Sequence, residues 1–455
     1  MTYINPQIFR EYDIRGIVDK DLNDDVLERI GKAYGTYVKE AGAKVVSIGR
    51  DCRLSSPAYA KAMTRGINST GVDVIDIGMV STPMLYFSLY NLEVDGGVMI
   101  TASHNPGEYN GIKLCRGRDS VFGEQIQKIR EIAEAGEFAA GKGSSIETDI
   151  EELYVGFLRE NIQIKPGVRA AVDYGNGMVG SIGPRVFKEF GCDVTELYVT
   201  PDGTFPNHHP DPTVEENLEK LIETVRSGRY EIGIGFDGDG DRIGVVDEKG
   251  NIVWGDMLVL VFARDVISRK PGAKIIGDVK CSNRLFNGIT EAGGEAIMWK
   301  TGHSLIKDKM KTEKASLAGE MSGHIFFADK FFGYDDALYA SLRILEIISR
   351  TGKPLSRLLE GIPPAISTPE IRVDCPEAFK FKAVEMVKAE LGGKYRIIDI
   401  DGVRVEFPDG WGLIRASNTQ PALVLRFEAQ TEERLSEIRG IIEGELRAAM
   451  KKLSA

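Results

Sequence analysis

Two short segments carry the groups in this chain best suited to group-transfer chemistry. One is a serine in the run Thr101-Ala102-Ser103-His104-Asn105-Pro106, and the other is an aspartate comb, Asp237-Gly238-Asp239-Gly240-Asp241-Arg242. Three carboxylates on alternate residues can face one ion, and a hard divalent cation such as Mg²⁺ takes anionic oxygens while leaving positions for phosphate and water. Gly238 and Gly240 remove the Cβ atoms that would stop the backbone curling round so small a centre. Arg242 adds a planar guanidinium fork for a phosphate beside the metal. Serine and comb together read as a phosphoryl-carrying hydroxyl and the cation that activates it.

Other readings of the same residues fit less well. Glu248 falls at the twelfth position counted from Asp237, as in an EF-hand calcium loop, but the sixth position is Arg242 where that loop needs glycine. The flanks, 230–234 and 243–246, read as strands and not as helices. A merely solvated acidic turn would be self-repelling without a cation. Ser103 follows the apolar strand Val98-Met99-Ile100 in a loop closed by Pro106 and Gly107, which presents it at a strand's C-terminal end. It lacks the G-x-S-x-G elbow and the ordered triad of an acyl-transfer serine. Alone, Ser-His-Asn-Pro is an ordinary polar turn; its company with the comb gives it meaning.

The elements that must position these loops recur along the chain. A strand, a helix and a second strand begin at Lys44, Arg169 and Lys274, with second strands near Val72, Asp193 and Glu295. Each copy continues through a helical stretch to a third strand ending in a glycine-rich loop, and those loops hold Ser103, Asp237 and Glu320. Alternating strands and helices imply an α/β fold with parallel sheets, and such sheets bind ligands beyond the carboxyl ends of their strands. Three equivalent loops then line one shared cleft. After about Leu359 the pattern changes: a strand at 370–373, a helix over 378–391, several short strands and a final amphipathic helix over 432–451. This reads as a smaller α+β module, with Arg415-Ala416-Ser417-Asn418-Thr419-Gln420-Pro421 as a phosphate cradle. The expected architecture is three topologically similar mixed α/β domains around a cleft, over residues 1–148, 149–252 and 253–362, and a C-terminal α+β domain over 363–455.

Composition sets the remaining bounds. The 455 residues are 42% hydrophobic, enough for several proper cores. A net charge of −11 without a basic run argues against nucleic acid or a membrane surface as partner. No stretch approaches the ~20 apolar residues of a membrane span, and the first residues lack a signal-peptide pattern, so a cytoplasmic enzyme is expected. Cys52, Cys115, Cys192, Cys281 and Cys375 lack C-x-x-C spacing, which points to reduced, packed thiols. His208-His209 with Asp211 reads as a hydrogen-bonded Pro-rich loop rather than a second metal site.

With the four loops in this order, the chain resembles the α-D-phosphohexomutases over essentially its whole length, most closely the bacterial and archaeal phosphomannomutase/phosphoglucomutase group. The resemblance implies that Ser103 is the phosphoserine and that its phosphate, Asp237, Asp239 and Asp241 hold Mg²⁺. Glu320-Met321-Ser322-Gly323-His324 matches the sugar-recognition loop, with Glu320 and Ser322 on the sugar's 3- and 4-hydroxyls and His324 beside them. Arg415, Ser417, Asn418 and Thr419 match the loop that grips the phosphate not being transferred. The opening motif Phe9-Arg10-Glu11-Tyr12-Asp13-Ile14-Arg15-Gly16 puts Tyr12 and Arg15 at the cleft, and Lys113, Lys280 and His303 align with further active-site positions.

The implied reaction interconverts hexose 1-phosphate and hexose 6-phosphate. Ser103 gives its phosphoryl group to the free hydroxyl, a hexose 1,6-bisphosphate forms and turns over, and the other phosphate returns to Ser103. The bisphosphate is then also the activator. Arg15 and Arg242 add positive charge, and either His104 or Lys113 relays the hydroxyl proton. Because mannose and glucose differ only at C2, both are expected substrates, and Met321 favours this group over glucosamine mutases. Small hexose phosphates are the expected partners, and a monomer or weak dimer the expected state. A phosphoglucosamine mutase, a Mg²⁺-dependent sugar phosphatase and a non-catalytic sugar-phosphate sensor are the alternatives.

Overall fold

All three repeats fold into one strand arrangement in the computed structural model, which describes residues 3–417 and 421–454. In each sheet the second strand lies outside the first, followed by the third and then the fourth. The first sheet runs Asp73–Met79, Val45–Arg50, Gly96–Ile100, Tyr109–Arg116. The second runs Asp193–Leu197, Arg169–Asp173, Ile232–Phe236, Ile243–Asp247. The third runs Glu295–Trp299, Lys274–Asp278, Leu317–Gly319, Ile325–Phe327.

Within each set the first three strands are parallel and the fourth is antiparallel. The parallel sheets expected from alternating strands and helices thus each carry an antiparallel fourth strand. A parallel neighbour needs a crossover of a dozen or more residues, whereas a short return can reach only an antiparallel one. Each chemistry-bearing loop is such a return: Phe236 pairs with Ile243 across the comb, and Gly319 with Ile325 across the sugar-loop motif. Hence all three loops emerge at the same, carboxyl end of their sheets.

One addition matters for the site. Ile14–Ile17 pairs antiparallel with Tyr109–Arg116, in a register that sets Arg15 opposite Gly111. Crossover helices supply the sheet faces: Ser56–Asn68 and Thr82–Asn91 in the first repeat, Gly183–Glu189 and Glu219–Ser227 in the second, Asn283–Glu291 and His303–Glu313 in the third. A single apolar cluster extends from Ile77 through Tyr174, Phe236 and Leu260 to Leu355, so the three repeats share a core. That common core fixes the three loops relative to one another.

The C-terminal module is a six-stranded antiparallel sheet covered by the helices Glu377–Leu391 and Glu432–Ser454, with its own apolar core. It docks on the third repeat through Trp411, fully buried against Val279. Arg404 lies 3.7 Å over the indole and donates to the carbonyls of Val279 and Cys281, at 2.6 and 2.7 Å. Arg426 donates to the carbonyl of Lys280 between them. No helix among the described residues is long and apolar enough to cross a membrane.

Candidate active site

Ser103 stands at the end of the strand Gly96–Ile100, buried, with φ 51°. This left-handed backbone is unfavourable for a residue with a Cβ and persists only where surroundings over-determine it. The surroundings are visible. The Ser103 amide donates to Thr101 Oγ1 at 2.9 Å. Arg53, fully buried, donates to four loop carbonyls: Ser103 at 2.8 Å, Asn105 at 2.6 Å, Pro106 at 2.7 Å and Tyr109 at 3.0 Å. The serine Oγ then donates to Asp237 Oδ2 at 2.9 Å and lies 3.0 Å from His104 Nδ1.

The comb wraps one point. Asp237 Oδ1 accepts from the amides of Gly240, Asp241 and Arg242 at 3.0 to 3.1 Å, an arrangement that turns the loop back on its own first carboxylate. Gly240 takes φ 79°, open to glycine, and a Cβ on Gly238 would lie 2.5 Å from the Ser103 carbonyl oxygen. All three aspartates are fully buried, with ligand oxygens within 4.8 Å of one another. Asp239 Oδ1 and Asp241 Oδ1 have no hydrogen-bond partner among the described residues. Burial, reinforced by the charges of Asp239 and Asp241, pushes the Asp237 carboxyl well above the usual carboxylate range. Among the described residues Lys113 is the ammonium paired with the cluster, on Asp241 and, at 3.2 Å, on Asp239. One ammonium against three buried carboxylates leaves negative charge to neutralise, and the all-oxygen donor set suits a hard divalent cation.

Neighbouring side chains order the cluster. Thr82, at the start of its helix, donates from Oγ1 to Asp239 Oδ2 at 2.6 Å and from its amide to the Asp239 carbonyl at 2.9 Å. Arg242 Nε donates to His324 Nε2 at 2.9 Å, which leaves the ring proton on Nδ1, 2.9 Å from Asp335 Oδ2 and 3.5 Å from Asp241 Oδ1. Arg15 donates to Asn105 Oδ1 at 2.6 Å and pairs with Asp13 at 2.5 Å, so it braces the serine loop from the opening strand. Burial, then the nearby Arg242 charge, holds His104 well below the ordinary histidine range, so its imidazole is neutral.

The sugar-loop and phosphate-loop residues converge through Thr301 and Gly302. Glu320, buried, accepts from the Gly302 amide at 2.7 Å and from Ser322 Oγ at 2.8 Å. Tyr12 donates its hydroxyl to the Thr301 carbonyl at 2.8 Å and meets the His303 ring edge-on at 6.2 Å. His303 stacks on His324 at 5.7 Å. Asp401 accepts from the Thr301 amide at 3.1 Å and from Arg415 Nε at 3.0 Å, carrying the connection into the C-terminal module. Lys280 pairs with Glu370 at 3.2 Å, and that ammonium holds the Glu370 carboxyl down to about 2. Ser417 bonds its amide to the Ala422 carbonyl at 2.9 Å and accepts from Lys380 at 2.6 Å. Asn418 and Thr419 lie outside the described residues.

The described residues singled out for chemistry are joined from Ser103 through the comb, Arg242 and His324 to His303, Tyr12, Glu320 and Arg415, while Lys280 and Ser417 are held by Glu370 and Lys380. Arg53, Thr82, Asp335 and Asp401 were not singled out. Only Arg53 leaves a trace in sequence, as a charged residue just past the carboxyl end of the strand Val45–Arg50, where such sheets place ligands. His208 lies outside the region: it pairs with Asp173 at 3.1 Å and its Nδ1 meets the His209 carbonyl at 2.8 Å, while Asp211 caps Thr213. No metal-binding group among the described residues includes it.

Comparison with known proteins matches this arrangement end to end. The phosphomannomutase/phosphoglucomutase of Pseudomonas aeruginosa is 46% identical over 447 residues, covering 98% of this chain and 96% of that one. The chain belongs to the phosphoglucomutase/phosphomannomutase family. Models of the family's alpha/beta/alpha domains I, II and III match residues 6–140, 152–250 and 254–366, and its C-terminal domain matches 370–444. A phosphoglucomutase of Neisseria gonorrhoeae is 48% identical over 443 residues, 96% of each chain. The crystal structure of a phosphoglucomutase/phosphomannomutase family protein from Burkholderia thailandensis superposes with a TM-score of 0.93 at 43% identity, covering 98% of both chains.

Proposed function

We propose that this family member is a hexose-phosphate mutase that interconverts the 1- and 6-phosphates of glucose and mannose through a phosphoserine and a hexose 1,6-bisphosphate. The observation that carries the reading is Ser103 Oγ at 2.9 Å from Asp237 inside a buried carboxylate cluster. Such a site suits a hydroxyl that repeatedly gains and loses a charged group. Asp237, Asp239, Asp241 and the serine phosphate would hold Mg²⁺, which supplies charge neutralisation for the transferring phosphoryl group.

The protein's own residues account for the remaining steps. In the forward step the Ser103 Oγ–P bond breaks, a sugar O–P bond forms, and the sugar hydroxyl loses its proton. His104 is the better acceptor on geometry: its neutral ring lies 3.0 Å from Ser103 Oγ, whereas Lys113 is committed to two carboxylates. Lys113 then acts as fixed positive charge, and Arg242 and Arg15 add theirs. In the return step the second phosphoryl group moves to Ser103 Oγ and the proton goes back. Glu320 and Ser322, bonded to each other, offer a hydroxyl-binding pair that reads the sugar without reference to C2. Lys280, Arg415, Ser417 and the loop beyond supply the grip on the non-reacting phosphate, whichever end of the sugar carries it.

The test is a coupled assay on glucose 1-phosphate and mannose 1-phosphate with a trace of glucose 1,6-bisphosphate. Both 6-phosphates should accumulate without inorganic phosphate. Release of inorganic phosphate in place of the 6-phosphate would establish the phosphatase instead, and glucosamine phosphate as much the better substrate would establish the aminosugar mutase.

A further inference from the structure

Two helix starts, one from each flanking repeat, hold the comb from outside. Thr82, the first residue of the helix Thr82–Asn91 in the first repeat, donates its amide to the Asp239 carbonyl at 2.9 Å. Ala337, the first residue of the helix Ala337–Thr351 that follows the third repeat's sheet, donates its amide to the Gly240 carbonyl at 3.1 Å. Successive carbonyls of the comb thus each close the open end of a different helix, where amides lack partners within the helix and the dipole favours negative charge.

The two ends are finished differently. Ser81 makes no side-chain cap on the first helix, and Thr82 Oγ1 instead donates to Asp239 Oδ2 at 2.6 Å, so the comb itself serves as the cap. Asp336 caps the second helix: its Oδ1 accepts from the Tyr339 amide at 2.9 Å. Its Oδ2 accepts from the hydroxyl of Tyr154, in the second repeat, at 2.7 Å. Thr82, Tyr154, Asp336 and Ala337 are all buried.

This scaffold divides the carboxylate oxygens of the comb. One oxygen of each aspartate is tied: Asp237 Oδ1 to three amides, Asp239 Oδ2 to Thr82 and Lys113, and Asp241 Oδ2 to Lys113. The other is left out of it. Asp237 Oδ2 meets Ser103 Oγ, while Asp239 Oδ1 and Asp241 Oδ1 have no hydrogen-bond partner among the described residues. Gly240, at φ 79°, has no Cβ to restrict its backbone, so the direction of its carbonyl depends on the Ala337 amide.

We propose that Thr82 and Asp336 are positioning residues for the cation and hold the comb in its binding curl before the ion arrives. Thr82 turns the Asp239 carboxylate, and Asp336 fixes the turn at Gly240 through the start of its helix. The inference rests on the proposed metal role of the comb and extends it to residues that do not touch the ion. Hydrogen bonds of this kind fix the orientation of a metal's ligands, and losing one costs about 10–100-fold in affinity. The three aspartates come from one loop, yet the grip on the ion depends on all three repeats.

The test is titration of the full-length protein with Mn²⁺, read from the EPR signal of the free ion, with Mg²⁺ as competitor. Thr82→Val removes the hydroxyl but keeps the shape and the amide, and Mn²⁺ affinity should fall by about tenfold or more. Thr82→Ser should restore most of it. Asp336→Ala should weaken binding by about threefold or more, and Asp336→Asn, which can accept both hydrogen bonds, should recover it. In turnover assays the Mg²⁺ concentration for half-activation should rise in step with these losses, while kcat at saturating Mg²⁺ changes less. A folding defect would instead lower the number of sites per chain at unchanged affinity, and Thr82→Ala replaces the valine variant if that one folds poorly. Variants that bind Mn²⁺ as tightly as the unaltered chain, or that only lose sites, would overturn the inference and leave the metal role of the comb standing. Failure of the unaltered chain to bind Mn²⁺ would overturn both.

Discussion

Arg53 donates to the main-chain carbonyl of Ser103 at 2.8 Å, so the proposed phosphoryl carrier is held by a guanidinium fifty positions earlier in the chain. The same side chain, itself out of contact with solvent, takes three further carbonyls of the loop and pairs with the buried Asp51 at 3.2 Å. Removing it strands four acceptors and one carboxylate. Arg53→Met is expected to cost about 3–5 kcal/mol in urea unfolding, and Arg53→Lys should recover little because an ammonium cannot span the four carbonyls. A loss below about 1 kcal/mol, within the range of an ordinary surface change, would show that the loop holds its shape unaided.

Ser103→Ala removes the hydroxyl proposed to bear the phosphoryl and leaves the proposed sugar and phosphate contacts. Turnover should fall by at least about a thousandfold, while hexose phosphate binding measured by calorimetry stays within a few-fold. Intact-mass spectrometry of the unmutated protein during turnover should find the phosphorylated chain. Retained turnover in the alanine variant would remove Ser103 from the mechanism.

Gly238→Ala tests the close approach of the two loops. The added methyl would lie 2.5 Å from a backbone oxygen that Arg53 holds in place, so one loop must move. Overpacking of this kind costs about 1–3 kcal/mol, and the separation of serine and metal changes with it. A drop in kcat of at least about tenfold is expected, since small displacements at reacting centres are costly. Unaltered kcat would mean that the comb and the serine do not act together.

Chelation should abolish turnover and lower the melting temperature, with Mg²⁺ restoring both. Among the described residues the comb's carboxylates pair with the ammonium of Lys113, and a bound divalent ion stabilises the folded state by mass action. A protein fully active and equally stable after exhaustive chelation would contradict the metal assignment.

His208 gives a pH test away from the metal. Burial opposes its charge, but the hydrogen bond to Asp173 and that carboxylate's field dominate and raise its pKa above 6.5. A raised folded-state value means that the pair stabilises fully below 6.5 and loses that contribution as pH rises through the folded pKa. The stability gap between the native chain and His208→Gln should therefore narrow from acid to alkaline pH across the histidine range. A gap that widens would reverse the assigned shift.

Much of this was legible in the residues because the chemistry sits in short contiguous runs. Asp237 to Arg242 and Ser103 to Pro106 each fold as a local loop, and strand periodicity places both at a strand's end. The direction of the fourth strand in each repeat was not legible: Tyr109–Arg116 reads as a strand whether it runs with or against its neighbour, and only the short return decides. Arg53 and Asp335 were missed for another reason. Their roles depend on partners 50 and 11 positions away in sequence, Ser103 and His324, and no local pattern announces a tertiary contact.

Three successive carbonyls of the third repeat, those of Val279, Lys280 and Cys281, are gripped by Arg404 and Arg426 of the C-terminal module. The backbone beneath Lys280 is thus a piece of one domain steered from another. Any rocking of the terminal module against its neighbour must swing that ammonium too, so a shift of the module and a shift of the charge become a single mechanical event.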